Sequence, residues 1–234
     1  MKKEIVDYFK LRNLSDEAYA NFKIPLSIKK VLPIDKQSEI LEIGCGFGQL
    51  LRELKALGYF NLTGIDLSDQ AVKHCQVNKI RALKVDLLNY VKQNDKKFDF
   101  IIMSHVLEHM EKNEIIDILF SIKDNLLSEK GQLLLIVPNA QSETGAYWRY
   151  EDFTHTTIFT SGSLFYVLKA SGFKTILFID PDCLEGLSLS KKIFKSIMLK
   201  LYKLNKAFWL RITSTAYHKS SPQIFSYEIK ALAS

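Results

Sequence analysis

The chain has 234 residues, 47% of them hydrophobic, and a formal net charge of +6. That size fits one globular domain with an appendage. No run reaches the ~18 apolar residues of a spanning helix, and the charged opening MKKEIVDYFK lacks the apolar core of a secretory signal. Three sparse cysteines, Cys45, Cys75 and Cys183, exclude a disulfide framework and predict a reducing, cytoplasmic setting. The positive charge favours an acidic partner: a nucleic acid, an anionic membrane face, or a phosphorylated or nucleotide-linked substrate.

Residues 1–36 read as a helical cap. Ile5, Tyr8, Phe9 and Leu11 form one short apolar face and Tyr19, Phe22 and Leu26 another, with breaks at Pro25 and Pro33. An α/β core is expected over 37–180. Ile40, Leu41 and Ile43 make a buried strand, Gly44, Gly46 and Gly48 a turn, and Leu50, Leu51 and Leu54 the stripe of the following helix. Glycines at such a join permit positive φ and let backbone N–H groups approach a ligand. A second strand, LTGID, ends in Asp66, placed to accept hydrogen bonds from ribose hydroxyls. Ser68 caps a helix running to about Asn78. A third strand ends at Asp86, a residue that also suits a helix N-cap.

A fourth strand, with Phe98, Phe100, Ile101, Ile102 and Met103 buried, delivers Ser104, His105, Glu108 and His109 to the same sheet end as the glycine turn. Open α/β sheets bind ligands there. A helix over about 113–127 and a fifth strand over 131–140 follow. A polar, aromatic loop of about 20 residues comes next, and long loops inside compact domains are usually functional. A helix then starts near Ser161 or Ser163, turns Leu164, Phe165 and Leu168 inward, and stops at Gly172. FKTILFI is a sixth strand. A final strand over 222–234 alternates Ile224, Phe225, Tyr227 and Ile229 and runs antiparallel.

An insertion, 181–221, separates those last two strands. On a helical wheel Ile193, Phe194, Ile197, Met198, Leu201, Leu204 and Phe208 share one face, with Lys195, Lys200, Lys203 and Lys206 opposite or at its edge. Two readings stand: the 191–211 segment lies on an anionic membrane, at the inner face of the cell membrane, or it packs its apolar face on its own domain or on a second subunit in a homodimer.

The glycine spacing decides which nucleotide is expected. A dinucleotide fingerprint is G-x-G-x-x-G; here it is G-x-G-x-G, preceded by Glu42, whose carboxylate repels a pyrophosphate and suits the ammonium of an amino acid. Over Glu42–Gly48 the sequence resembles the E-x-G-x-G-x-G motif of class I S-adenosylmethionine-dependent methyltransferases. The resemblance implies a Rossmann-like, seven-stranded, mostly parallel sheet with an antiparallel final strand. It also implies S-adenosylmethionine as cofactor, held by Glu42, Gly44, Cys45, Gly46, Asp66, Leu67, Asp86, Leu87 and Ser104. Asp86 would meet the adenine amino group and Leu87 the ring. The cap would close over the cofactor, with Tyr8 and Tyr19 as contacts.

Methyl transfer to a hydroxyl requires the acceptor's proton to be managed by a base or a metal. Three of the five histidines gather where that is needed: His105-x-x-Glu108-His109 after the fourth strand and His155 after the fifth. The pattern resembles E-x-x-E-H in ubiquinone-pathway O-methyltransferases and small-RNA 2′-O-methyltransferases, the latter completing a metal site with a loop histidine. His105 stands where those enzymes have Glu. A site of His105, Glu108, His109 and His155 would favour Mn, Fe or Zn over Mg. The departure at His105 leans toward a metal-free base, neutral His105 or His155, with Tyr150 or Asp152 as further candidates. The stretch from Trp148 to Leu164 resembles methyltransferases of bacterial surface-polysaccharide clusters. That implies a sugar, nucleotide-sugar or glycan acceptor, met by Trp148, Arg149 and Tyr150. DNA is not an expected partner. An RNA methyltransferase and a non-catalytic cofactor-binding subunit are the alternatives; the glycine spacing disfavours a nicotinamide oxidoreductase.

Overall fold

The computed structural model describes residues 8–215 and 222–234. Ile5, expected on the first apolar face, lies outside them. The cap begins with α1 (Tyr8–Leu11), a 3-10 turn (Asp16–Tyr19) and α2 (Leu26–Lys29). Leu11 and Leu26 are exposed, contrary to the expected faces; Ile24, Ile28 and Leu32 are the cap residues that enter the core. The segments are too short to sustain an amphipathic stripe, so burial falls on the residues flanking Pro25 and Pro33 instead.

The core alternates β1 (Ile40–Ile43), α3 (Gln49–Ala56), β2 (Leu62–Asp66), α4 (Asp69–Val77), β3 (Ala82–Lys84), α5 (Leu87–Gln93) and β4 (Phe98–Ser104). Then come a 3-10 turn (Leu107–His109), α6 (Ile115–Ser121), a π-helical turn (Ile122–Leu126) and β5 (Leu127–Pro138). The chain closes with α7 (Gly145–Glu151), α8 (Ser161–Ala170), β6 (Ile176–Phe178), α9 (Leu189–Ile212) and β7 (Glu228–Ala233). The seven strands lie in the order β3-β2-β1-β4-β5-β7-β6. Pairings from β3 to β5 are parallel, and β7 runs antiparallel between β5 and β6. This is the Rossmann-like methyltransferase arrangement that the motif implied.

The sheet is buried on both faces. One layer gathers Ile43, Ile101, Leu135, Leu164 and Leu168 among others, the second Ile40, Leu51, Phe100, Ile102 and Leu134. The expected elements hold, with shifted bounds. β3 stops two residues before Asp86, which caps α5 by accepting from the Asn89 N–H at 3.0 Å. β5 starts at Leu127 rather than Gly131, because a register shift between Phe98 and Phe100 lets β4 pair with Leu127 before the main ladder resumes at Gln132. Phe165 points partly to solvent while Leu164 and Leu168 face the core. The expected loop after β5 contains a helix, α7. The final strand is shorter than the alternation predicted, because the Asn139 side chain takes up the carbonyls of Ile224 and Ser226 just ahead of it.

The insertion helix α9 is 24 residues long, none of them buried. The apolar face does not pack on its own domain. The helix instead turns toward the domain a face bearing Lys195, Tyr202, Lys203 and Lys206. Lys203 pairs with Asp182 at 3.0 Å, Lys206 with Glu143 at 2.9 Å, and Lys195 donates to the Cys183 carbonyl at 2.8 Å. Among the described residues no helix is long and apolar enough to cross a membrane.

Candidate active site

The glycine turn joins β1 to α3 with Gly44, Gly46 and Gly48 all at positive φ. At Gly44 (φ 73°) a Cβ would also lie 2.2 Å from the Val106 side chain, so the turn presses directly against the segment leaving β4. Gly44 and Cys45 donate to the Ile65 carbonyl, which ties the turn to β2. Cys45 is fully buried beneath the turn, so only its backbone can meet a ligand. The Asp66 carboxylate closes the cradle, accepting from the Gly46 N–H and the Ser68 N–H, both at 2.8 Å. Burial raises Asp66 above the usual carboxylate range, against the pull of the Ser68, Gly46 and Leu67 N–H groups.

Glu42 lies on β1 beneath this cradle, almost fully buried, and its Oε2 has no hydrogen-bond partner. Burial, then the neighbouring Cys75 and Asp66, push its carboxyl well above the ordinary value. A buried carboxylate without a partner is costly unless a cation or donor reaches it. The ammonium of an amino acid is such a group, so the residues present fit S-adenosylmethionine. Leu67 is exposed at the rim, Leu87 is half-buried beside Asp86, and Ser104 ends β4.

The cap roofs the cradle. Phe9 packs on Phe47 with ring centroids 4.7 Å apart, and Tyr19 approaches the same ring at 6.3 Å. Tyr8, the neighbour of Phe9, turns the other way: its hydroxyl donates to Asp152 at 2.7 Å and its ring lies 5.9 Å from that of His109. Two adjacent residues of α1 thus touch the cofactor cradle and the histidine cluster.

That cluster centres on Glu108, which is fully buried with neither carboxylate oxygen hydrogen-bonded. Ligand atoms of Glu108, His109 and His155 all lie within 4.8 Å of one another. The hydrogen bonds fix both imidazoles. His155 Nδ1 faces the Trp148 carbonyl at 2.7 Å, and a carbonyl only accepts, so Nδ1 carries the proton. Thr154 donates its hydroxyl to Asp152 at 2.6 Å, so its oxygen accepts from His109 Nδ1 at 2.8 Å. With Nδ1 engaged in both rings, Nε2 is the nitrogen left to meet a ligand, and that of His155 lies 3.9 Å from Glu108 Oε1 and 3.8 Å from Asp152 Oδ2. Orienting ligand histidines through Nδ1–H is the usual outer shell of a metal site. Burial lowers the proton affinity of His109, which keeps that ring neutral.

Asp152 anchors this shell. It is buried and also pairs with Arg12 at 3.1 Å. Its burial is outweighed by hydrogen bonds from Thr154 and Tyr8, which hold its carboxyl below the usual range.

His105 behaves differently from the sequence expectation. Its backbone is left-handed (φ 54°), and the half-exposed ring lies between two carboxylates, 3.3 Å from Glu108 through Nδ1 and 3.3 Å from Glu228 through Nε2. The Glu108 separation is an ion-pair distance without hydrogen-bond alignment. Burial opposes the charged form, but Glu108 and Glu228 outweigh it and the ring's proton affinity is raised. A neutral His105 base, one of the two expected mechanisms, does not fit these surroundings. Glu228, itself paired with Lys230 at 2.9 Å, was outside the sequence-derived site. Its signal was a Glu and a Lys two apart in an otherwise apolar strand. The Arg149 guanidinium is occupied, donating to the His155 carbonyl, and the main-chain carbonyl of Trp148 holds the same loop while its half-buried indole meets Tyr147 edge-on at 5.1 Å. Tyr147, Tyr150 and Phe153 form an exposed aromatic rim.

A family model described as a methyltransferase domain matches residues 17–177, more than half of the chain. The chain belongs to this methyltransferase-domain family. Its fold and glycine-turn cradle are those of the class I S-adenosylmethionine-dependent methyltransferases. It is similar to a ubiquinone biosynthesis O-methyltransferase of Rickettsia bellii, 36% identical over 83 residues, which cover 31% of this chain and 32% of that protein. It is also similar to N-methyltransferase 4 of Papaver somniferum, 25% identical over 91% of this chain and 63% of that protein. The match thus spans under two thirds of either relative. Among solved structures, a SAM-dependent methyltransferase from Archaeoglobus fulgidus superposes with a TM-score of 0.66 at 22% identity, over 97% of this chain and 99% of that one. Another, from Bacteroides fragilis in complex with S-adenosyl-L-homocysteine, gives 0.57 at 16% identity over 94% and 81%.

Proposed function

We propose that this methyltransferase methylates a hydroxyl oxygen, activated at Glu108, His109 and His155, on a sugar or glycan-linked acceptor. The observation that carries the reading is the fully buried Glu108 carboxylate, neither oxygen hydrogen-bonded, grouped with His109 and His155 so that their ligand atoms lie within 4.8 Å of one another. An amine acceptor needs no such site, since its free base already carries a nucleophilic lone pair. A hydroxyl does need one, because its proton must be lost as the methyl arrives.

S-adenosylmethionine supplies an electrophilic methyl group carried on a sulfonium. Glu42 would pair with its ammonium and Asp66 would accept from its ribose hydroxyls. Glu108, His109 and His155 would hold a divalent metal ion, whose charge lowers the proton affinity of a nearby hydroxyl. Asp152 and Thr154 keep His109 in the tautomer that presents Nε2, and Trp148 does the same for His155. Phe9, Tyr8 and Tyr19 exclude water from the space between cradle and cluster. Support for a sugar comes from the rim: the exposed rings of Tyr147, Tyr150 and Phe153 offer flat apolar faces of the kind that pack on pyranose rings.

Incubating the protein with methyl-labelled S-adenosylmethionine and fractions of a cell extract tests the acceptor class. Label is expected in alkali-stable ethers of nucleotide sugars or glycans. Label confined to RNA or to amines would replace the reading.

A further inference from the structure

Helix α9 is mounted inside out. Its lysine-bearing face is fixed to the domain through Asp182, Glu143 and the Cys183 carbonyl, and Tyr202 packs edge-on against Phe225 at 5.2 Å. On the opposite face Ile193, Phe194, Ile197, Leu201, Leu204 and Phe208 are each more than half exposed. They form a continuous stripe, at spacings of one, three and four residues, along a helix about 36 Å long. The stripe is bordered by Lys200 and Arg211, which form no ion pair among the described residues, and the helix contains no acidic residue.

We infer that this outward face is a peripheral docking surface for an anionic lipid membrane. The charge distribution decides between occupants. In a symmetric dimer the same stripe would meet itself, bringing Lys200, Arg211 and their copies to one interface with no acid on either helix to offset them. An anionic bilayer reverses that sign: the apolar stripe enters the acyl boundary while the flanking cations meet the headgroups. Phe208 and Trp209, stacked edge-on at 5.4 Å near the end of the helix, are the residue types that favour the interface level. The helix is joined through Tyr202 and Lys206 to Glu143, in the loop that leads into α7, so docking would set the acceptor rim beside the lipid surface. The surface stands on α9 alone and does not depend on which acceptor is methylated.

Co-sedimentation with vesicles of phosphatidylcholine, with and without phosphatidylglycerol, tests it on the whole chain. Binding is expected to the anionic vesicles at low salt and to weaken as salt rises. Lys200→Glu with Arg211→Glu should weaken it about tenfold or more, since each cation near the surface matters by several-fold. Leu201→Ser with Leu204→Ser should weaken it comparably. These side chains face solvent, so circular dichroism and the thermal midpoint should be unchanged in both variants. Lys203→Ala, which removes an inward-facing charge of the same sign, should leave binding within about twofold. No sedimentation at low salt would overturn the inference. So would equal binding by the outward-face variants, or a wild-type dimer in ultracentrifugation that Leu201→Glu dissolves.

Discussion

The two halves of the site are built in opposite ways. The cofactor cradle is assembled from segments close in sequence: Gly46 bonds Asp66 across 20 residues, and Asp66 bonds Ser68 across two. The histidine cluster, the proposed acceptor side, is assembled from distant parts of the chain: Tyr8 meets Asp152, His105 meets Glu228, and His109 meets Thr154. A local turn can be held by its own backbone. The distant cluster exists only because the sheet and the cap bring its parts together, and it holds at its centre a buried carboxylate with no hydrogen bond to either oxygen. Damage should therefore spread further on the acceptor side than on the cofactor side.

The largest effect should follow from Glu108→Gln. It keeps the shape but removes the charge between the imidazoles, and turnover should fall by about 10²-fold or more with donor affinity little changed. Single-turnover kinetics alongside calorimetry separate the two quantities. Parallel losses in both would mean that the halves are not independent. Thr154→Val comes next: it frees His109 Nδ1 without touching an inward-facing ligand atom. Metal affinity should drop by about 10–100-fold, and Thr154→Ser should restore most of it.

How much of this was legible beforehand follows the same division. Glu42, the glycine turn, Asp66 and the Ser68 cap were readable because a strand–turn–helix writes its requirements into adjacent residues. The grouping of Glu108, His109 and His155 was readable as a coincidence of residue types at one sheet end. The state of His105 was not, since it depends on Glu228, 123 residues away. Nor were the Arg149 guanidinium and the Trp148 carbonyl legible as supports of the histidine loop, because a bond to a main-chain carbonyl leaves no mark on the sequence. The wheel of α9 was correct in its two faces, but periodicity cannot say which face turns inward. Ion pairs from Lys203 and Lys206 to acids elsewhere in the chain settle that.

Effects on the cofactor side should be smaller and local. Asp66→Ala removes a charged acceptor and should cost about 1–3 kcal/mol of S-adenosylmethionine affinity by calorimetry, with the acceptor cluster intact. Glu42→Gln should be the mildest, and of opposite sign for stability. The Glu42 carboxyl titrates higher in the folded protein than in the unfolded chain, so its ionisation costs stability as pH rises through the range between those values. The donor-free variant should therefore gain about 1 kcal/mol at neutral pH, shrinking toward zero in acid, while donor binding weakens. Thermal melts across pH, with and without S-adenosylmethionine, read both signs; a variant that is less stable without donor would mean that the buried Glu42 carboxylate does not cost stability.

Acceptor activation as proposed rests on metal binding by Glu108, His109 and His155. Electron paramagnetic resonance titration with Mn(II) tests it most directly, with methyl transfer assayed in the same samples. One bound ion per chain is expected, lost in Glu108→Ala and His155→Ala and retained in His105→Ala, with turnover abolished by chelator and restored by Mn(II). No bound ion in the intact protein, together with full turnover in chelator, would contradict it.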